Sequence, residues 1–161
     1  MTELATIGVY GFTLEEFLHA LSEADVRLVL DVRQRRGVRG PQYAWANSKR
    51  LQAALADAGI SYRHRPELAP TTELRQLQYR EDDRLGVGKR SREQLAPEYR
   101  ERYTREILDP ADLDEVVAQL PKAGAGALLC VERDPEACHR SLLAGRMAAD
   151  YGLPLTHLRP A

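Results

Sequence analysis

Cys138, His139, Arg140 and Ser141 follow one another in the last third of the chain, with Cys130 and Glu132 just upstream. A thiol, an imidazole and a guanidinium at consecutive positions suit either nucleophilic sulfur chemistry or the binding of an anion. Asp134-Pro135 predicts a helix start, which puts Cys138, His139 and Arg140 in its first two turns. There the positive helix end, Arg140 and a protonated His139 would lower the thiol pKa of Cys138. Glu132, Asp134 and Glu136 act in the opposite sense. Two readings of Cys138 therefore stand side by side: a reactive thiolate, or a small apolar residue facing a sheet. Helical geometry turns His139 about 100° from Cys138, so His64, arriving from another element, is the better candidate base for a thiol. Its alternative is a half-exposed strand histidine between Arg63 and Arg65. The seven residues separating Cys130 from Cys138 do not match the two to four of common zinc sites, so no metal and no other cofactor is expected.

A second group is cationic. Arg33, Arg35, Arg36 and Arg39 fall within seven residues that contain no acid. Guanidinium forks match phosphate oxygens bidentately, so Arg33, Arg35, Arg36 and Arg140 are expected to engage a phosphate, a nucleotide or a nucleic-acid backbone. Tyr43 and Trp45 can stack a base or simply pack. Asp31 and Glu132 are the candidate general bases. The basic residues from Arg75 to Arg105 are interleaved with acids, and that stretch reads as a solvated face.

Positioning these residues requires strands alternating with helices. Ala5–Val9, Val26–Val32, Ile60–Arg65, Ala127–Val131 and Pro154–Arg159 read as strands, and Thr13 with Glu16 forms a capping box for a helix carrying Leu14, Phe17, Leu18 and Leu21. A second helix starts at Asn47 or Ser48 and closes at Gly59, another carries Tyr99 and Tyr103, one buries Leu113, Val116, Val117 and Leu120, and the last ends near Gly152. Strands separated by helical crossovers must be parallel. The expectation is a single α/β domain over residues 1–161, with a mainly parallel central sheet of about five strands and helices on both faces. Ligands of such sheets bind outside the carboxyl ends of the strands. Tyr10, Asp31 with Arg33, His64, and Cys130 with Glu132 all fall just there.

At 161 residues the chain can bury a core without covalent staples, and a net charge of -1 argues against a uniformly basic surface. No apolar run is long enough for a membrane span, and the first residues lack a signal-peptide pattern. A cytoplasmic location is expected, with both cysteines as thiols.

The strings Ala5-Thr6-Ile7-Gly8, Leu30-Asp31-Val32-Arg33, Tyr62-Arg63-His64-Arg65-Pro66, and Leu129-Cys130-Val131-Glu132 followed by Cys138-His139-Arg140-Ser141 resemble those of the domain of unknown function 488 family across nearly the whole chain. The resemblance implies a compact α/β fold and no particular activity. More distantly, Asp31-Val32-Arg33 and the Cys130 loop leading to Arg140-Ser141 are similar to rhodanese sulfurtransferases, which would make Cys130 the nucleophile. Three functions follow as expectations: an anionic ligand held at the strand ends, cysteine-dependent sulfur transfer at Cys130 or Cys138, or a non-enzymatic binding module.

Overall fold

A computed structural model describes residues 1–161. Five strands, β1 (Thr2–Ile7), β2 (Val26–Asp31), β3 (Ser61–His64), β4 (Gly124–Leu129) and β5 (Leu155–Leu158), form one parallel sheet in the order β3-β2-β4-β1-β5. The central strands are apolar on both pleat faces because both are covered. Ala5, Ile7, Val29, Ala127 and Leu129 face one core, where α1 (Leu14–Glu23) contributes Phe17 and Leu21, and α2 (Ser48–Asp57) contributes Leu51 and Leu55. Leu4, Leu28, Leu30 and Leu128 face the other. It is closed by α3 (Thr72–Leu85), α4 (Pro97–Tyr103), α5 (Leu113–Ala118) and α6 (His139–Tyr151).

The connections decide where a crevice opens. The chain leaves β1 and β2 onto the α1/α2 face, and leaves β3 and β4 onto the opposite face. Adjacent strands β2 and β4 thus send their continuations apart, and a gap opens beyond their carboxyl ends. No helix is long and apolar enough to cross a membrane.

Three local expectations need correction. The segment after β3 contains a fourteen-residue helix, α3, where the sequence reads as a polar stretch with a break at Gly86 and Gly88 and no helix before it. Thr71 caps it by accepting from Leu74 N, and Gly86 closes it in the left-handed conformation. The helix that carries Tyr99 and Tyr103, suggested in the sequence by Ser91 with Gln94, instead starts at Pro97, which occupies the first turn of α4, where its missing N–H has no intrahelical partner to lose. The last helix starts at His139, not at Pro135. Pro135–Ala137 is a separate 3-10 turn, and Cys138 is extended, with φ -138 and ψ 147, so it caps α6 from outside.

Candidate functional site

At the end of β2, Asp31 is fully buried, and Arg33 turns back over it. Arg33 Nε and Nη2 donate to Asp31 Oδ1 and Oδ2 at 2.8 Å each, and Nη1 donates to the Ala46 carbonyl at 2.9 Å. Tyr62 Oη donates to Asp31 Oδ2 at 2.5 Å. Burial first, and then the Asp31 carboxylate, raise the Tyr62 pKa. Arg33 and Asp31 therefore satisfy each other in the interior and tie the arginine loop to the 3-10 turn Pro41–Ala46. His64 Nε2 donates to the Arg33 carbonyl at 2.9 Å, which secures the backbone where the loop departs. His64 is directed at this loop and is not paired with a sulfur.

Beyond β4 the chain doubles back. The turn Pro135–Ala137 returns Cys138 to Cys130, and the two are joined as a disulfide. This replaces the expected thiols. The bridge lies beside His139, whose Nδ1 is 3.7 Å from Cys130 Sγ and 3.6 Å from Cys138 Sγ. His139 Nε2 is 2.8 Å from the Val32 carbonyl, and a carbonyl only accepts, so Nε2 carries the hydrogen. The bare nitrogen faces the sulfurs. Burial pushes the His139 pKa down to about 4, against the pull of Glu132, so the ring is neutral near pH 7 and does not act as the cation expected from sequence.

Glu132 and Arg140 hold this loop in place. Burial alone would raise Glu132, but Lys89 and Arg92 bring it below the ordinary carboxylate range. Arg92 Nη2 donates to Glu132 Oε1 at 2.9 Å and Nη1 to Asp82 Oδ2 at 2.6 Å, an ion-pair chain that is almost wholly buried. Glu132 Oε2 lies 3.0 Å from Cys130 Sγ. Arg140, fully buried, donates to the Glu132 carbonyl at 2.7 Å and the Arg133 carbonyl at 3.1 Å. Burial lowers its pKa to about 10, still leaving it charged. The loop packs so tightly on β1 that a Cβ at Gly8 would stand 1.9 Å from the Glu132 oxygen.

Between these two clusters lies a cavity of about 500 Å³. Its charged lining consists of Arg33, Arg35, Arg39, Arg75 and Lys89, and no carboxylate lines it. Tyr10, Cys130 and His139 also line it. Arg36 lies outside, 3.4 Å from Tyr62 Oη. Tyr10 and Tyr43 meet at 5.2 Å, and the Arg90 guanidinium covers both rings at 5.1 and 5.4 Å. Trp45, expected as a possible stacking surface, is buried against Phe17 in the core. Sequence reasoning missed Arg75, Lys89 and Arg92. It treated their stretch as a solvated face, although the Thr71 and Gly86 caps bracket the helix that carries Arg75 to the cavity.

The parallel sheet wound in both directions, with its cavity at the carboxyl edge, defines a doubly wound α/β protein. The family model "Domain of unknown function DUF488" matches residues 13–147, and the chain belongs to that family. Among curated proteins and solved structures none matches it, so the similarity to rhodanese sulfurtransferases gains no support.

Proposed function

We infer that the chain binds a small phosphate-bearing anion, of nucleotide size, in the cavity beyond β2 and β4. The observation that carries this is the lining of five cationic side chains without a carboxylate around about 500 Å³, a volume usual for small-molecule sites. Cations confined in a cleft of low-dielectric walls concentrate positive potential there, although the whole chain is nearly neutral. Arg33 and Arg140 hold the walls: Arg33 Nε, Nη1 and Nη2 all donate within the protein, and Arg140 Nη1 and Nη2 donate to the Glu132 and Arg133 carbonyls. Arg35, Arg39, Arg75 and Lys89 reach the ligand, and Tyr10, capped by Arg90, closes the rim.

Neither Asp31 nor Glu132 lines the cavity, so the inference assigns binding and no general base. Sulfur transfer at Cys130 or Cys138 requires a free thiolate, which only the reduced chain can offer. Iodoacetamide labelling across pH after reduction tests it: reaction only near the ordinary thiol pKa of about 8.5 removes that alternative.

Calorimetric titration with pyrophosphate, ADP and adenosine tests the anion site. Pyrophosphate and ADP are expected to bind, with affinity falling as salt rises, and adenosine is not. Arg75→Ala and Lys89→Ala should each weaken ADP by about tenfold or more, the worth of a charged hydrogen bond. Equal binding of ADP and adenosine, or unchanged affinity in both variants, would overturn the inference.

A further inference from the structure

We propose that Cys130, Cys138 and His139, once the bridge is reduced, form a binding site for one soft divalent cation, with zinc as the best fit. The site goes beyond the anion pocket and does not depend on it.

The three donor atoms lie within 4.8 Å of one another and all three residues are buried. A tetrahedral ion with Zn–S near 2.3 Å and Zn–N near 2.05 Å holds sulfur and nitrogen about 3.6 Å apart. The observed separations from His139 Nδ1 are 3.6 and 3.7 Å. The same bond lengths would put two thiolate sulfurs about 3.8 Å apart. The Cα atoms of Cys130 and Cys138 are 7.2 Å apart, so rotation of the two side chains can provide that spacing with the backbone in place.

Histidine orientation gives an independent indication. Metal-bound imidazoles almost always donate their second N–H to a carbonyl or carboxylate, which fixes the tautomer and the ring plane. His139 already does this through Val32, and its free lone pair is directed at the two sulfurs. Tyr103 packs on the ring at 5.5 Å, and its own hydroxyl is held by the Leu68 carbonyl at 2.6 Å.

Charge and access agree with the donors. Two thiolates and a neutral imidazole balance a divalent ion, and thiolate ligands favour zinc over magnesium or calcium. The long spacing that excluded zinc from the sequence does not matter here, because the Pro135–Ala137 turn brings Cys138 back to Cys130. Three protein ligands leave a fourth position. Glu132 Oε2 stands beside Cys130 Sγ, and Cys130 and His139 both line the cavity, so that position is filled by the carboxylate or faces the cavity. An ion open to the cavity can accept an oxygen from a bound molecule.

Reduction with a trialkylphosphine prepares the site: the S–S bond takes two electrons and two protons to give two thiols, while the phosphine takes oxygen from water and becomes its oxide. The reduced chain, counted at two thiols and kept anaerobic, is titrated with cobalt(II). One cobalt per chain is expected, with thiolate-to-metal charge-transfer absorption and tetrahedral d–d bands, displaced by one equivalent of zinc. The bridged chain should show neither. Cys130→Ser and Cys138→Ser should each weaken binding roughly 100-fold, and His139→Gln by at least about tenfold. Absence of the charge-transfer band from the reduced wild-type chain would overturn the proposal. So would a bridge that resists reduction in the folded chain, or equal cobalt binding by the bridged and reduced chains; none of these results depends on whether a variant folds. Pyrophosphate binding by the bridged, metal-free chain decides the anion site separately.

Discussion

Replacing Arg33 with Met isolates what its guanidinium does. The methionine chain reaches as far as the arginine Nε position but leaves the Asp31 carboxylate buried and without its bidentate partner; only the Tyr62 hydroxyl and the residue-33 backbone N–H, at 3.2 Å, remain. Breaking a buried pair from one side typically costs 3–5 kcal/mol, because the remaining charge is uncompensated. Taking about 4 kcal/mol and a urea slope of about 2 kcal/mol/M, the unfolding midpoint should fall by roughly 2 M. Removing both charges is a different perturbation. Asp31→Leu with Arg33→Met leaves the Tyr62 hydroxyl, the residue-33 N–H and the Ala46 carbonyl without these partners but no buried charge, and should recover about 1–2 kcal/mol of the loss. Tyr62→Phe alone should cost about 1 kcal/mol. Equilibrium urea unfolding followed by circular dichroism measures all three. A single variant whose midpoint drops by less than about 0.5 M, or a double variant as unstable as the single, would refute the assignment of Arg33 to the wall of the site.

Other perturbations have equally definite outcomes. Gly8→Ala drives a methyl into the Glu132 carbonyl and should cost about 2 kcal/mol, or roughly 4–8 °C in thermal midpoint. Gly145→Ala meets nothing within 4 Å in the middle of α6 and should raise the midpoint. Arg92→Met removes the partner of both Asp82 and Glu132 and should cost at least about 3 kcal/mol in urea unfolding. His157 has its pKa lowered by partial burial, and then by Arg140 and Arg159. The unfolded chain therefore takes up this proton first as pH falls below about 6.5, so the contribution present above that pH is lost on acidification. His157→Gln should flatten this part of the decline in midpoint between pH 7 and 5.

The strands were legible because buried parallel strands are written as nearly unbroken apolar runs, as in Val26–Leu30, where only the exposed Arg27 interrupts. The gathering of Tyr10, Asp31, Cys130 and His139 at one edge followed from the alternation of strands with helices. The division of labour among the arginines was harder to see. Asp31 and Arg33 stand two residues apart, on the same side of an extended segment, which is a local hint of pairing. Arg92 meets Glu132 from forty residues away, and nothing local in its acid-rich stretch marks it as buried. The protonation of His139 was misjudged for the same reason: its neutrality comes from burial against elements that only the folded chain supplies.

The position of β1 also governs how the molecule assembles. This first strand pairs with β4 on one side and β5 on the other, while β2 and β3 form on the far side of β4. Until Gly124–Leu129 is available, β1 has no neighbour, and the hairpin-like local contacts that speed folding do not exist in this sheet. Emergence from the ribosome must therefore run well past Cys130 before the amino-terminal segment is sheltered. Trimming the chain after Gly152 would strip one side of β1 bare, creating an unpaired apolar edge open to strand exchange with another molecule.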